Sequence, residues 1–192
     1  MAEAEERVMR AALELIAEQG YERTTATEIG ARAGYSRAIL RQRFGSKEDL
    51  LETLFASKWR PLLDFDPPLD LDGLSQALAM LDHLLAVLRD DPDLFKAFVT
   101  VSLDIPNHLA ELKPRYTEWW QRYERQTADA LRLGQHDGSI KADVDLDYEA
   151  RHVITFGVGL VYRWSMAWDD YDIVGAVTEW RVHLHRRLSA EA

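Results

Sequence analysis

The sequence predicts an all-α fold in which short helices precede longer ones. Apolar residues recur at helical spacing, no segment shows convincing strand alternation, and helix-capping patterns punctuate the first 60 residues. The chain has 192 residues, of which 47% are apolar and 29% are charged. This length and composition suit one domain, or a small head joined to a larger body, with a substantial core.

The first predicted helix is marked by Met9, Ala12, Leu13 and Ile16, which recur at i, i+3, i+4 and i+7, and it ends at Gly20. Three further short helices follow, and each begins with a side chain that can cap its first turn. The cap patterns are Thr25-Ala26-Thr27-Glu28, Ser36, and Ser46-Lys47-Glu48-Asp49, and the last of these helices continues to Pro61.

Longer helices are predicted after residues 61–72, a connection rich in proline and aspartate. Asp91-Pro92 restarts the chain, because proline fits the first turn of a helix, and Pro106 interrupts the helix that follows. Gly134 and Gly138 end an aromatic-rich helix. In order, the predicted helices cover residues 74–89, 93–103, roughly 111–135, about 145–168 and about 172–188.

Composition excludes several classes of protein. The sequence has no cysteine, which rules out disulfide frameworks, thiolate zinc sites, iron–sulfur clusters and cysteine nucleophiles. No apolar run has the length of a membrane span, and the acidic start, Met1–Glu6, is unlike a signal peptide. We therefore expect a soluble cytoplasmic protein that has no membrane partner.

The net charge of −10 hides a local excess of positive charge. Residues 1–60 contain ten basic and ten acidic residues, so the other 132 residues carry the whole deficit. Residues 23–47 contain six basic residues and a single acid, Glu28. This segregation suggests a polyanion-binding head on an acidic body.

The second and third predicted helices have the length, the caps and the glycine-containing turn of a helix-turn-helix. They are joined by Ala33-Gly34-Tyr35-Ser36, and Leu40 and Phe44 form the inward anchor of the third helix. At about 100° per residue, Ala38 and Gln42 lie roughly opposite that anchor. The third helix therefore has an outward face that is free to meet a ligand.

Cations border this outward face. Arg37, Arg41 and Arg43 lie on its flanks, where long side chains can reach phosphates or guanine edges, and Ile39 lies beside its centre. Lys47 is in the first turn of the next helix, so its ammonium and the exposed amides can meet one phosphate. The alternative interpretation is a solvated helix surface, because an arginine cluster usually has that meaning.

The N-terminal part of the chain resembles the tetracycline-repressor (TetR) family of bacterial one-component regulators. The resemblance covers about a quarter of the chain and implies a three-helix DNA-binding head followed by a larger helical ligand-binding and dimerisation body. We expect the head to be residues 1–47 and the body 48–192. The matching residues are Ala11–Tyr21, Thr24-Thr25, Ile29–Ser36, Leu40, Phe44 and Ser46–Leu51.

The resemblance also implies roles for single positions. Thr25 and Thr27 would contact the DNA backbone, while Arg37 and Ala38 would face guanine and thymine. The full expected DNA-binding set is Thr25, Thr27, Tyr35, Ser36, Arg37, Ala38, Arg41, Gln42, Arg43 and Lys47.

Four positions depart from the family pattern. Arg41 stands where the family usually has tyrosine, and Arg43 where histidine is frequent. Ile39 replaces a commonly small residue and Gly30 a common alanine. Both arginines suit phosphate contacts with a marked salt dependence.

An aromatic pocket in the body would suit a small organic effector, flat or cationic in character. The same rings can instead simply fill the core. The candidate pocket residues are Phe95, Phe98, Trp119, Trp120, Tyr123, Phe156 and Trp164.

The last two helices are the expected association surface of a homodimer that binds a palindromic double-stranded operator. Packing within one chain is the alternative explanation for their apolar stripes. The candidate interface residues are Val153, Gly157, Leu160, Val161, Ile173, Val177, Trp180 and Leu184.

No catalytic, metal or cofactor motif is recognisable in the sequence. We therefore expect no catalytic residues, no metal site and no cofactor, and we expect a one-component repressor that an effector releases from its operator. Two alternatives stay open. The chain could be a small all-helical enzyme, or a helix-turn-helix protein whose body binds a protein partner.

Overall fold

The structure is a computed structural model that describes residues 2–105 and 109–190. Helices form nearly all of its regular structure, and the all-α prediction is confirmed. Among the described residues, no helix is both long enough and apolar enough to cross a membrane. The α-helices are α1 (Ala2–Gln19), α2 (Ala26–Ala33), α3 (Arg37–Phe44), α4 (Lys47–Leu54), α5 (Arg60–Leu63), α6 (Gly73–Asp90), α7 (Pro92–Asp104), α8 (Lys113–Asp137), α9 (Leu146–Ser165) and α10 (Ile173–Leu188).

Two short segments depart from α-helical geometry. A π-helical segment, Phe55–Trp59, joins α4 to α5 inside the helix that the sequence predicts up to Pro61. A 3₁₀ turn, Ala110–Leu112, precedes α8. The predicted break at Pro106 lies outside the described residues.

The chain divides into two compact units. The first comprises Met1–Asp64 and Asp91–Lys113, and the second comprises Phe65–Asp90 and Pro114–Ala192. The first unit therefore holds α1 to α5 and α7, and the second holds α6, α9, α10 and nearly all of α8. A functional boundary between residues 47 and 48 stays a prediction.

The first unit is built around α1, which packs against α2 and α7. The π-helical segment contacts both α1 and α7. Lys58 forms an ion pair with Glu6 of α1, with Nζ 2.5 Å from Oε1, and the fully buried Trp59 donates from Nε1 to the Leu94 carbonyl of α7 at 3.2 Å. Trp59 also contacts the ring of Phe98 edge-on.

The second unit packs α10 against α6 and α9. The contact between α10 and α6 includes an ion pair from Arg181 Nε to Asp82 Oδ1 at 2.6 Å. The prediction that Gly134 helps to end the aromatic-rich helix is wrong. Gly134 lies inside α8, where a Cβ would come within 2.5 Å of Ile140 Cδ1, and α8 ends at Asp137. Gly138 follows with a φ of 84°, as a helix terminus favours.

Candidate nucleic-acid interface

The turn between α2 and α3 has the geometry that its sequence predicts. Thr25 caps α2 in a capping box, because its hydroxyl accepts from the Glu28 amide while the Glu28 carboxylate accepts from the Thr25 amide. Gly34 then adopts a φ of 78°, which favours glycine, and the Tyr35 amide donates to the Gly30 carbonyl at 2.8 Å. A Cβ at position 30 would lie 2.8 Å from the Tyr35 carbonyl oxygen, so the tight turn accounts for glycine there.

Arg7 stabilises this turn from outside the helix-turn-helix. Its Nη2 donates to the Ala33 carbonyl at 2.7 Å, and its guanidinium lies 5.3 Å from the centre of the half-buried Tyr35 ring. This role could not be predicted from the sequence, since no local spacing links Arg7 to a residue 26 positions away.

The anchor and the outward face of α3 lie where the sequence predicts them. Leu40 is 3% exposed and Phe44 is 9% exposed, so both side chains fix α3 to the core of the first unit. Ser36 caps the helix by accepting from the Ile39 amide at 3.3 Å. The other residues of α3 are all exposed, namely Arg37, Ala38, Ile39, Arg41, Gln42 and Arg43.

The three arginines of α3 make no ion pair or side-chain hydrogen bond within the described part of the chain. Arginines on neighbouring helices behave differently. Arg10 pairs with Asp91 at 2.8 Å, and Arg32 pairs with Glu18, also at 2.8 Å. The Arg32–Glu18 hydrogen bond lowers the pKa of the Glu18 carboxyl and raises that of the Arg32 guanidinium. Among residues 2–60, the basic side chains that have no internal partner are therefore the three arginines of α3.

Lys47 is held by its own chain. Its Nζ donates to the Tyr21 carbonyl at 3.0 Å and lies 4.0 Å from the centre of the Tyr21 ring. The Ser46 and Asp49 amides, which the sequence leaves open to a phosphate, are taken up by a capping box. The Ser46 amide holds the pKa of the Asp49 carboxyl below its usual range. A phosphate contact at Lys47 stays a prediction.

The threonines at the start of α2 differ in what they offer to a ligand. Both Thr25 and Thr27 are exposed. The Thr25 hydroxyl donates to Glu28 Oε2 at 2.7 Å, and this hydrogen bond lowers the pKa of the Glu28 carboxyl. An anionic carboxylate therefore lies directly beside the expected contact at Thr25.

The structure divides the predicted effector-pocket residues between the two units. Phe95 and Phe98 are buried in the first unit, with ring centres 6.1 Å apart. In the second unit, α8 carries an aromatic cluster of half-buried rings: Tyr116, Trp119, Trp120 and Tyr123.

The two pocket candidates on α9 have different surroundings. Trp164 is buried and donates from Nε1 to the Trp168 carbonyl at 3.1 Å. Phe156 is 41% exposed and lies between the stacked ring of His152 and the ring of Trp180. Trp164 thus belongs to a core, whereas Phe156 belongs to a surface.

Most of the predicted dimer residues pack within their own chain. Gly157 makes room for the Trp180 ring, since a Cβ there would lie 3.1 Å from Trp180 Cη2. Leu160 and Val161 are half-buried. The residues buried inside a single chain are Val153, Ile173, Val177, Trp180 and Leu184.

The exposed apolar surface of α9 and α10 is formed by other residues. An open groove of about 690 Å³ runs between the two helices, and Phe156, Leu160 and Trp180 contribute to its lining. The exposed apolar residues on these helices are Tyr148, Phe156, Val158, Tyr162 and Val182, and Met166 follows α9 directly.

A small helical head whose second helix-turn-helix helix carries exposed arginines is typical of DNA-binding proteins. Residues 8–54 match the family model of the bacterial regulatory proteins of the tetR family. Residues 8–54 are therefore similar to the tetR-family regulators, and the resemblance seen in the N-terminal sequence is confirmed.

Known relatives extend the likeness. The chain is 39% identical over 87 residues to the HTH-type transcriptional regulator SrpR of Pseudomonas putida. The match covers 42% of this chain and 41% of SrpR. The chain thus spans less than half the length of that relative. It is 29% identical over 175 residues to the fatty acid metabolism regulator protein of Bacillus subtilis, which covers 87% of this chain and 86% of that protein.

A solved structure shows the same fold over almost the whole chain. It is the transcriptional regulator FadR of Bacillus subtilis in complex with stearoyl-CoA, with a TM-score of 0.66 and 20% identity over 95% of this chain and 98% of that one. SrpR and FadR are both transcriptional regulators.

Proposed function

We propose that the protein is a homodimeric transcriptional repressor that a small organic effector releases from a palindromic DNA operator. The observation that carries this proposal is the exposed face of α3, where Arg37, Arg41 and Arg43 have no internal partner among the described residues. Free guanidinium groups on a rigid helix suit phosphates and guanine edges. In this proposal residues 1–47 bind DNA, and residues 48–192 bind the effector and the second subunit.

Binding of the purified protein to its own upstream DNA tests the first part. We expect saturable, sequence-selective binding that weakens steeply with salt, because arginine–phosphate contacts release counterions. A selection from random DNA sequences covers the case of an operator that lies elsewhere. If neither experiment returns a preferred sequence, the protein is not a sequence-specific repressor.

The homodimer is supported by the exposed surface of α9 and α10. Two copies that associate through Phe156, Tyr162 and their neighbours would cover apolar side chains that one copy leaves in water. A two-fold axis would also present two copies of α3 to successive major grooves, about 34–36 Å apart. Two subunits double the phosphate contacts and hence the salt dependence.

Sedimentation of matched variants tests this surface. Phe156→Asp puts a charge at a residue that is 41% exposed, and we expect it to turn a dimer into a monomer. Leu69→Asp is the control, because Leu69 is 91% exposed and lies on neither helix. If Phe156→Asp and Leu69→Asp sediment alike, α9 does not carry the interface.

The aromatic cluster of α8 supports effector binding in the second unit. Tyr116, Trp119, Trp120 and Tyr123 offer flat apolar faces, and burial raises the pKa of the Tyr123 hydroxyl to about 12. The stearoyl-CoA bound by the similar FadR suggests one ligand class, a long acyl chain. A flat aromatic cation is the other, since cations bind over aromatic rings.

Thermal shift measurements distinguish these effectors. Stearoyl-CoA, coenzyme A without an acyl chain, and the aromatic cation malachite green are the probes. A true effector raises the melting temperature progressively, with the logarithm of its concentration once it is in excess over the Kd. It also weakens operator binding, because linkage makes effector and DNA lower each other's affinity by the same factor. A Trp119→Ala variant should lose both effects. If no probe raises the melting temperature, neither ligand class applies.

A further inference from the structure

The recognition helix α3 carries an apolar side chain on a surface that is otherwise polar or cationic. Ile39 is 38% exposed, and among the described residues 2–64 no other large apolar side chain is exposed to that extent. An isolated exposed isoleucine has no special meaning on most surfaces. Ile39, however, lies on the helix that would face DNA in the proposed complex, so the DNA groups opposite it determine what the side chain contacts.

The helical wheel of α3 separates its charged residues from its uncharged ones. At about 100° per residue, Ala38, Gln42 and Ile39 form one continuous arc on the side away from Leu40 and Phe44. The arginines border this arc, with Arg37 and Arg41 on one edge and Arg43 on the other. Long cationic side chains at the borders can reach the phosphates on the groove walls, which directs the uncharged arc toward the base edges.

The backbone of Ile39 is already satisfied. Its amide donates to the Ser36 hydroxyl at 3.3 Å, so the side chain is the group that Ile39 can offer to DNA. A branched hydrocarbon cannot bond to a phosphate or to a polar base edge. The thymine methyl is the apolar group that bases present in the major groove.

We propose that Ile39 is a specificity-determining residue that recognises a thymine methyl in each half-site of the operator. The inference rests on the proposed DNA binding and adds a base preference to it. Gln42 lies one turn away on the same arc, and its amide suits the adenine edge of a neighbouring base pair. The uncharged arc of α3 therefore selects A·T pairs at the centre of its contact, between arginine-contacted flanks.

Uracil substitution tests the proposal directly, because deoxyuridine differs from thymidine only by the missing methyl. The operator is first obtained by random-sequence selection with the wild-type protein, and each thymine is then replaced by uracil in turn. Loss of one buried methyl should weaken binding about fourfold per half-site, and about sixteenfold when both half-sites are changed. Ile39→Ala should bind the thymine and uracil operators about equally.

Two controls keep the assignment specific. Ala38→Gly removes the other methyl on the arc, at the residue that the family resemblance places against thymine, so it tests the competing assignment: the uracil penalty persists in this variant if Ile39 makes the methyl contact. Melting curves followed by circular dichroism should show that Ile39→Ala folds like the wild type, since the side chain is not part of the core. The uracil penalty is then read on a folded variant.

Each other outcome overturns the inference. If uracil weakens binding equally in the wild type and in Ile39→Ala, Ile39 does not contact the thymine methyl. If Ala38→Gly alone abolishes the uracil penalty, the methyl contact belongs to Ala38. If no uracil weakens the wild-type complex, α3 recognises no thymine methyl. If the wild-type protein selects no sequence at all, the proposed function fails and this inference fails with it.

Discussion

The substitution Arg41→Ala tests the electrostatic role of α3 most directly. Arg41 is exposed and has no internal partner among the described residues, so its removal should leave the fold intact, and alanine favours the helix. In a dimer the substitution removes two phosphate contacts. Each contact contributes about 0.9 to the slope of log affinity against log salt, so the slope should become shallower by about 1.8.

The same relation gives the loss of affinity at any salt concentration. One contact is worth about eightfold at about 0.1 M monovalent salt, so two contacts are worth about 60-fold. At about 0.4 M salt the loss should shrink to about fivefold. The penalty for Arg41→Ala is therefore expected to fall by about an order of magnitude across this range.

Fluorescence anisotropy with a labelled operator measures both quantities. Arg41→Lys keeps the charge and should keep the slope, while Arg89→Ala removes an exposed arginine at the end of α6 and should change neither slope nor affinity. Parallel salt plots for wild type and Arg41→Ala would refute the reasoning. A penalty that is the same at all salt concentrations would mean that Arg41 contacts a base and not a phosphate.

Two further predictions concern stability. Gly73→Ala should destabilise the protein by about 3 kcal/mol or more in urea unfolding, because the new Cβ would overlap the backbone nitrogen of Gly134 in α8. Gly159→Ala is the control, since a Cβ there meets nothing within 4 Å. Its free energy of unfolding should rise by up to about 1 kcal/mol, because alanine favours the helix more than glycine does. If both substitutions changed the free energy of unfolding equally, the close contact at Gly73 would be contradicted. The second prediction concerns pH. Hydrogen bonds lower the pKa values of the Glu28 and Asp49 carboxyls in the folded protein. These carboxylates therefore stabilise the folded state fully at a pH above the ordinary carboxyl pKa, and this stabilisation is lost as pH falls through the lowered pKa values. The melting-temperature difference between wild type and Glu28→Gln should therefore shrink from about pH 7 to about pH 3, and a constant difference would show that the ionised cap adds nothing.

Features of the head that depend on neighbours in sequence were predictable. The capping boxes at Thr25 and Ser46 link residues three apart, and the anchor pair Leu40 and Phe44 is four apart. Such spacings translate directly into helix geometry. The left-handed backbone at Gly34 follows from the conformational freedom of glycine, which no other residue at that turn shares.

Contacts between distant residues could not be predicted in the same way. Lys47 is held by Tyr21, and Arg7 holds Ala33, in each case across 26 positions. The sequence alone does not distinguish Lys47 and Arg7 from basic side chains that are free to bind a phosphate. Whether a cation is free or already paired depends on which helices pack beside it, and the packing also places Gly134 inside α8 against Gly73.

The sequence by itself determined the helical class, the order of the helices and the residues that α3 turns outward, because these follow from local spacing and backbone preference. Tertiary structure alone decided which of the apolar stripes in the second unit face the core. Trp180 and Leu184 are covered within their own chain, whereas Phe156 remains in the open. An amphipathic helix specifies only that one face must be buried, and the partner that buries it is decided where the helices meet.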